Sequence, residues 1–205
     1  LALLAARQWR TLGWTIGTAV ALSLLSGIVL GFDLWLAFLD MVREASSPRM
    51  ANEMFERVFT QMTTPLAMAH MVGLPPFIGG AIQLIVSALA VAAVWIAFRR
   101  HPAGDARIAV LATATFLVSP YTLNYDLLLL MPAVVALFRL GAARGFYPFE
   151  RLVYLALWLL PALGWSLNRL GLPVMPLVIL LFGAIAWARL VRQSKVELPG
   201  PAMAS

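Results

Sequence analysis

The run Ser119-Pro120-Tyr121-Thr122-Leu123-Asn124-Tyr125-Asp126 places two phenols, an amide and a carboxylate in one short break within an apolar stretch. Pro120 removes a backbone donor and Ser119 can satisfy local carbonyls, so a helix is predicted to break here. Backbone groups freed at membrane depth are tolerated only where protein or a water-filled cavity supplies partners. A carboxylate at such depth is costly unless paired, which makes Asp126 a site residue by default. The run therefore predicts a substrate-binding turn built from Tyr121, Asn124, Tyr125 and Asp126. A structural role for the same residues stays open. Asn124 or Asp126 can cap the following helix, and Tyr121 and Tyr125 can belong to an interfacial aromatic belt.

Other chemistry is sparse. Dinucleotide, phosphate-loop, nucleophile-elbow and zinc-protease motifs are absent. The two histidines, His70 and His101, lack metal-ligand spacing, so neither a metal nor another cofactor is called for. Gln83 with Ser87, and Thr115 with Ser119, lie one helical turn apart and predict interhelical hydrogen bonds. Asn168 and Arg169 are expected on the outer side of the membrane, where the arginine could meet an anionic group but more commonly snorkels.

The elements that must hold this turn follow from composition. The chain is 62% hydrophobic and 12% charged, against about 45–50% and about 25% in soluble domains. That excess excludes an ordinary soluble domain, a disordered chain and a coiled coil. The absence of cysteine excludes a disulfide scaffold. The fold class is all-α: a polytopic transmembrane helical bundle of about six spans with an interfacial amphipathic segment. Span one covers about Thr11–Leu30, with Gly13/Gly17 and Gly27/Gly31 as pairs allowing close helix approach. Residues 31–75 read as two short interfacial helices, with Pro48 starting the second. Span two covers about Phe77–Phe98, span five about Leu152–Leu167, and span six about Val174–Ala188. Residues 1–198 read as a single transmembrane domain, and 199–205 as a disordered tail. The opening Leu1-Ala2-Leu3-Leu4-Ala5-Ala6 reads as the last turns of a helix whose start lies upstream, and not as a signal peptide.

Residues 108–138 decide the topology. As one helix, 31 residues would measure about 46 Å, too long for a hydrocarbon core of about 30 Å. As two passes meeting at residues 119–126, eleven basic and three acidic residues share one side, a net +8. The other side then holds four basic and six acidic residues, a net −2, which restores the chain's +6. This positive-inside pattern puts both ends in the cytoplasm, and the 31–75 segment and the 119–126 turn on the opposite face. The basic balance is thus a topology signal and argues against nucleic-acid binding.

FDLWLAFLD, then FERVFTQMTTPLAMAHMVGLP, then a span carrying Gln83, then LVSPYTLNYDLLLLMPA occur in that order. Together they resemble the C-terminal half of glycosyltransferase family 87, bacterial polytopic enzymes of the GT-C type. SPYTLNYD is similar to the family's (S/T)PYxxxYD segment. Actinobacterial mannosyltransferase members read more like SPxSWxHH there, which sets a His pair over Tyr125 and Asp126. The resemblance implies transfer of a hexose, mannose foremost, from a polyprenyl-phosphate donor to a lipid or glycan acceptor. The reaction would run on the outer face of the bacterial cytoplasmic membrane. It also implies that the catalytic base is an Asp in an early outer loop upstream of this chain, so no residue here takes that role and the fragment alone would be inactive. The implied partners are the lipid-linked donor, the acceptor and membrane lipids.

Two other classes compete. A transporter also uses broken helices, but would predict internal repeats; comparing spans one to three with four to six shows none. A non-catalytic assembly subunit would use residues 119–126 only as a turn.

Overall fold

A computed structural model describes residues 1–45, 47–101 and 103–197. The tail at 199–205, expected to be disordered, lies outside the described residues. The regular elements described are all helical, and a single isolated bridge joins Met62 to Leu123. After the short α1 (Ala2–Ala5), the chain falls into two compact units, Leu3–Phe59 and Thr60–Ser205 together with Leu1–Ala2.

The first unit holds α2 (Trp9–Leu30), α3 (Phe32–Ala45) and α4 (Pro48–Val58). α2 is apolar all round, as a span in lipid must be. Gly31 ends it at φ +93°, a conformation that suits glycine. Gly27 is buried because the Phe32 ring lies over it, where a Cβ would collide. Gly13 and Gly17, expected to admit a neighbouring helix, meet no such neighbour within this unit. Pro48 does start α4, with Ser47 as N-cap accepting from the Met50 N–H at 3.4 Å.

The second unit holds α5 (Pro65–Met71), α6 (Pro76–Arg100), α7 (Asp105–Val118), a 3-10 turn at Asn124–Leu130, α8 (Met131–Arg144), α9 (Glu150–Arg169) and α10 (Met175–Glu197). The two interfacial helices expected over 31–75 are thus three, with a 3-10 turn at Phe59–Gln61 between the second and third. The extra start comes from Thr64, whose Oγ1 accepts the Ala67 N–H at 3.2 Å ahead of Pro65. The proline at the first helical position reinforces that start.

α7 packs between α6 and α10. Its buried face sets small residues, Ala106, Ala109 and Ala114, beside Val110, Thr113 and Phe116. α10 comes close at Gly183, where a Cβ would sit 3.1 Å from the Thr113 methyl. Leu127, Leu130, Leu137, Leu157 and Phe182 fill the centre and are fully buried. Tyr154 meets Phe182 edge-on at 6.1 Å between centroids.

Among the described residues, four helices are long and apolar enough to cross a membrane: Trp9–Leu30, Pro76–Arg100, Asn124–Arg144 and Met175–Gln193. Two of the six expected spans do not reach that standard. α7 has 14 residues, about 21 Å of helix. α9 has 20, but Glu150 and Arg151 open it, Asn168 and Arg169 close it, and Pro161 lies within. The break expected within 108–138 is present, since α7 ends at Val118 and the next helical turn begins at Asn124.

Candidate functional site: the break at Ser119–Asp126

The break starts where α7 runs out of its own donors. Pro120 has no N–H, and the last carbonyls of a helix need partners from elsewhere. α6 supplies them. Gln83 Nε2 donates to the Leu117 carbonyl at 2.9 Å. Ser87 Oγ lies 3.3 Å from the same carbonyl and 3.2 Å from that of Val118. The interhelical role expected of Gln83 and Ser87 is therefore met, and its purpose is to close an interrupted helix. Gln83 Oε1 also accepts the Leu66 N–H at 3.3 Å, tying α5 to the same point.

Thr115 and Ser119 do not form the interhelical bonds expected of them. Thr115 Oγ1 donates to Leu111 O in its own helix at 2.9 Å, the usual competing bond for threonine. Ser119 Oγ accepts the Tyr121 N–H at 3.4 Å and so satisfies a donor, not a carbonyl.

The four residues singled out by sequence divide between two environments. Tyr121 and Tyr125 are exposed, at 51% and 62%. Asp126 is half-buried, and its Oδ2 accepts the Leu123 N–H at 2.9 Å, which caps the 3-10 turn. Asn124 turns toward α9, where Nδ2 donates to the Pro161 carbonyl at 2.9 Å. Its Oδ1 is buried without a hydrogen-bond partner. Gly164 leaves the room for it: a Cβ there would lie 3.0 Å from Asn124 Oδ1 and would collide with Met175. Capping and inward anchoring thus occupy one carboxylate oxygen of Asp126 and the amide of Asn124, while both phenols face outward.

The stretch leading into α5 lies alongside the break. Thr63 N donates to Thr122 O at 3.0 Å, and the two threonine hydroxyls are 3.0 Å apart. Asn168 is buried. Its Nδ2 donates to the carbonyls of Thr60 at 2.9 Å and Met62 at 3.2 Å. Arg169 lies over the Trp165 ring, 5.1 Å from its centroid. The start of this stretch, the break and the end of α9 therefore form one hydrogen-bonded cluster.

An apolar groove of about 320 Å³ opens next to this cluster. It runs between α6, α7 and α10 from Leu117 past Leu89 and Val110 to Trp187.

A second polar cluster, at the other end of α9, escaped sequence reasoning. Glu150 is fully buried and accepts from Arg189 Nε and Nη2, at 2.5 Å each, and from the Tyr154 hydroxyl. The Tyr147 N–H adds a fourth bond at 2.7 Å. Burial pushes the Glu150 carboxyl up, but the bonds from Arg189, Tyr154 and Tyr147 outweigh it and hold it below its ordinary value. Glu150 and Arg189 fell on the same side of the expected topology, and that co-location was the available signal.

The family model of glycosyltransferase family 87 matches residues 1–120. The match spans both units and reaches Ser119 and Pro120, while Tyr121–Asp126 follow it. No curated protein and no solved structure matches the chain. An all-helical chain with four membrane-competent helices, a proline break closed from α6, and a family match over more than half its length belongs to glycosyltransferase family 87, a family of membrane glycosyltransferases.

Proposed function

We propose that this glycosyltransferase moves a hexose, mannose foremost, from a polyprenyl-phosphate donor to a lipid or glycan acceptor. Its place is the bacterial cytoplasmic membrane, with both ends of the chain cytoplasmic and the break at residues 119–126 on the outer face. The charge asymmetry of +8 against −2 supports that orientation. Tyr121, Asn124, Tyr125 and Asp126 form the substrate-binding turn, and no metal or other cofactor enters the reading. The exposed phenols of Tyr121 and Tyr125, on a break stabilised from α6, carry this reading.

The reaction is a displacement at the anomeric carbon. The acceptor oxygen forms the new glycosidic bond, the bond to the donor phosphate breaks, and the acceptor proton passes to a general base. None of the acids of this chain is given that base role. The turn contributes orientation: Tyr121 and Tyr125 offer hydroxyls to sugar or acceptor, and the second oxygen of Asp126 can accept from an acceptor hydroxyl. Asn124 fixes the turn on α9. The apolar groove beside Leu117 suits an isoprenoid tail.

The test is sugar transfer from a polyprenyl-phosphate donor in membranes containing the protein, comparing Tyr125→Phe and Asp126→Asn with the parent. Asn keeps an acceptor for the Leu123 N–H, so the cap survives, while the charge is lost and the second oxygen is replaced by a donating NH2. Loss of transfer of about tenfold or more in either variant is expected, since positioning groups commonly matter on that scale. Unchanged transfer in both overturns the site assignment.

A further inference from the structure

The end of the second unit remote from the break carries a cavity of about 350 Å³ between the end of α8 and the last turns of α10. α8 runs from Met131 near the break to Arg144, about 21 Å of helix, so the cavity is distinct from the turn described above. Arg144, Tyr147, Arg189, Arg192 and Gln193 line it, with Leu140 as an apolar wall.

We infer that this cavity binds a phosphate-bearing anion. Arg144, Arg189 and Arg192 all line it, and the carboxylate of Glu150 is bonded to Arg189. Glu150 is committed to Arg189, so Arg144 and Arg192 leave two positive charges uncompensated among the described residues. Guanidinium groups match phosphate oxygens in a planar fork and are the preferred partners of phosphate.

The site is built, not incidental. Arg189 is only 6% exposed and cannot swing, since Nε and Nη2 are held by Glu150 and Nη2 also reaches the Gly145 carbonyl at 2.9 Å. Tyr147 is held from two sides, with Arg189 4.8 Å and Arg192 5.7 Å from its ring centroid. Gln193 completes the polar part of the lining. Arg189 lies within the membrane-competent stretch Met175–Gln193 of α10, four residues before the end of that stretch. Basic pockets at that level between helices suit anionic headgroups. A phospholipid headgroup and a free phosphate share this chemistry, so both are tested.

The experiment is thermal unfolding of the detergent-solubilised chain with three probes: dioctanoyl-phosphatidylglycerol, dioctanoyl-phosphatidylcholine and inorganic phosphate. The parent is compared with Arg144→Gln/Arg192→Gln and with Arg144→Lys/Arg192→Lys. Both double variants keep the Glu150–Arg189 pair, so the fold is retained. A rise in Tm of about 3 °C with phosphatidylglycerol is expected at several times its dissociation constant. That rise is lost in the Gln double variant and partly kept in the Lys double variant. A rise with phosphatidylglycerol alone assigns a lipid headgroup, and a rise with inorganic phosphate as well assigns a free phosphate site. No rise with either anion, an equal rise with phosphatidylcholine, or an unchanged rise in the Gln double variant overturns the inference.

Discussion

Gln83 of α6 donates to the carbonyl of Leu117 at 2.9 Å, and this bond ends α7 where the break begins. The same side chain accepts from Leu66 N, so one buried amide joins α5, α6 and α7. A helix that stops inside a bundle leaves carbonyls that water cannot reach, and the neighbouring span provides the missing donor.

Gln83→Leu should therefore destabilise the chain more than its gain in apolar character would suggest. It strands the Leu117 carbonyl and the Leu66 N–H, and an unsatisfied buried group costs about 1–3 kcal/mol. Ser87 still reaches Leu117 and softens the loss on that side. Denaturant or thermal unfolding in detergent should show a drop of about 2 kcal/mol by the same reasoning. A change too small to resolve would mean that the bond does not close α7.

The break itself was readable because Pro120 and a 31-residue apolar run leave few other solutions. What closes it was half readable. Gln83 and Ser87 stood out as polar residues one turn apart in an apolar span, yet Thr115 and Ser119 shared that spacing and bond locally. Spacing places a hydroxyl on a face; it does not say whether a partner carbonyl or the helix's own is nearer. The inward turn of Asn124 depends on Gly164, which is 40 residues away, and no local pattern marks such a pairing. The burial of Asn168 was hidden for the same reason, since its partners Thr60 and Met62 lie in a distant loop. Glu150 and Arg189 counted only as charges on one side of a membrane. Their bidentate pairing emerged once α9 and α10 were packed, because helix register, not composition, brings the two together.

Gly164→Ala tests whether the Asn124 anchor relies on vacant space. A Cβ there would overlap Met175, which is fully buried, and crowd Asn124 Oδ1. Overpacking of this kind typically costs about 1–3 kcal/mol. Met175→Ala should relieve it, so the double variant should be less destabilised than the sum of the two singles. An additive double-mutant cycle would place Gly164 outside this contact.

The Glu150–Arg189 pair predicts an acid limb in stability. The carboxyl is held below its ordinary value of 4.5 in the folded state, because the bonds from Arg189, Tyr154 and Tyr147 outweigh burial. Its stabilising contribution is complete above the unfolded value and is lost as pH falls through the folded one. Unfolding free energy should therefore be insensitive to this group near neutrality and should fall below about pH 4.5. Glu150→Gln should flatten that limb and leave Arg189 buried without a counter-charge, a loss of about 3–5 kcal/mol at neutral pH. Pairing Glu150→Leu with Arg189→Met should recover much of it, because the unpaired charge is gone. Equal acid limbs in parent and Glu150→Gln would remove Glu150 as their source.

Asn168 predicts a local effect that leaves the helices intact. Its Nδ2 holds the carbonyls of Thr60 and Met62, and the adjoining Thr63 N–H donates to Thr122 in the break. Asn168→Asp replaces a donor by a charged acceptor facing those carbonyls, so attraction becomes repulsion. Asn168→Ala removes the bonds without adding repulsion. Hydrogen exchange at the Thr63 amide should accelerate in both variants, and more in the aspartate one. A loss of about 1.4 kcal/mol of local stability corresponds to roughly tenfold faster exchange when opening is limiting at equilibrium. Amides at the centre of α6, far from the bond, should keep their protection. Thr63 exchange that stays at the parent rate in both variants would show that Asn168 does not hold this stretch to the break, and the order of the two variants separates loss of a donor from added charge.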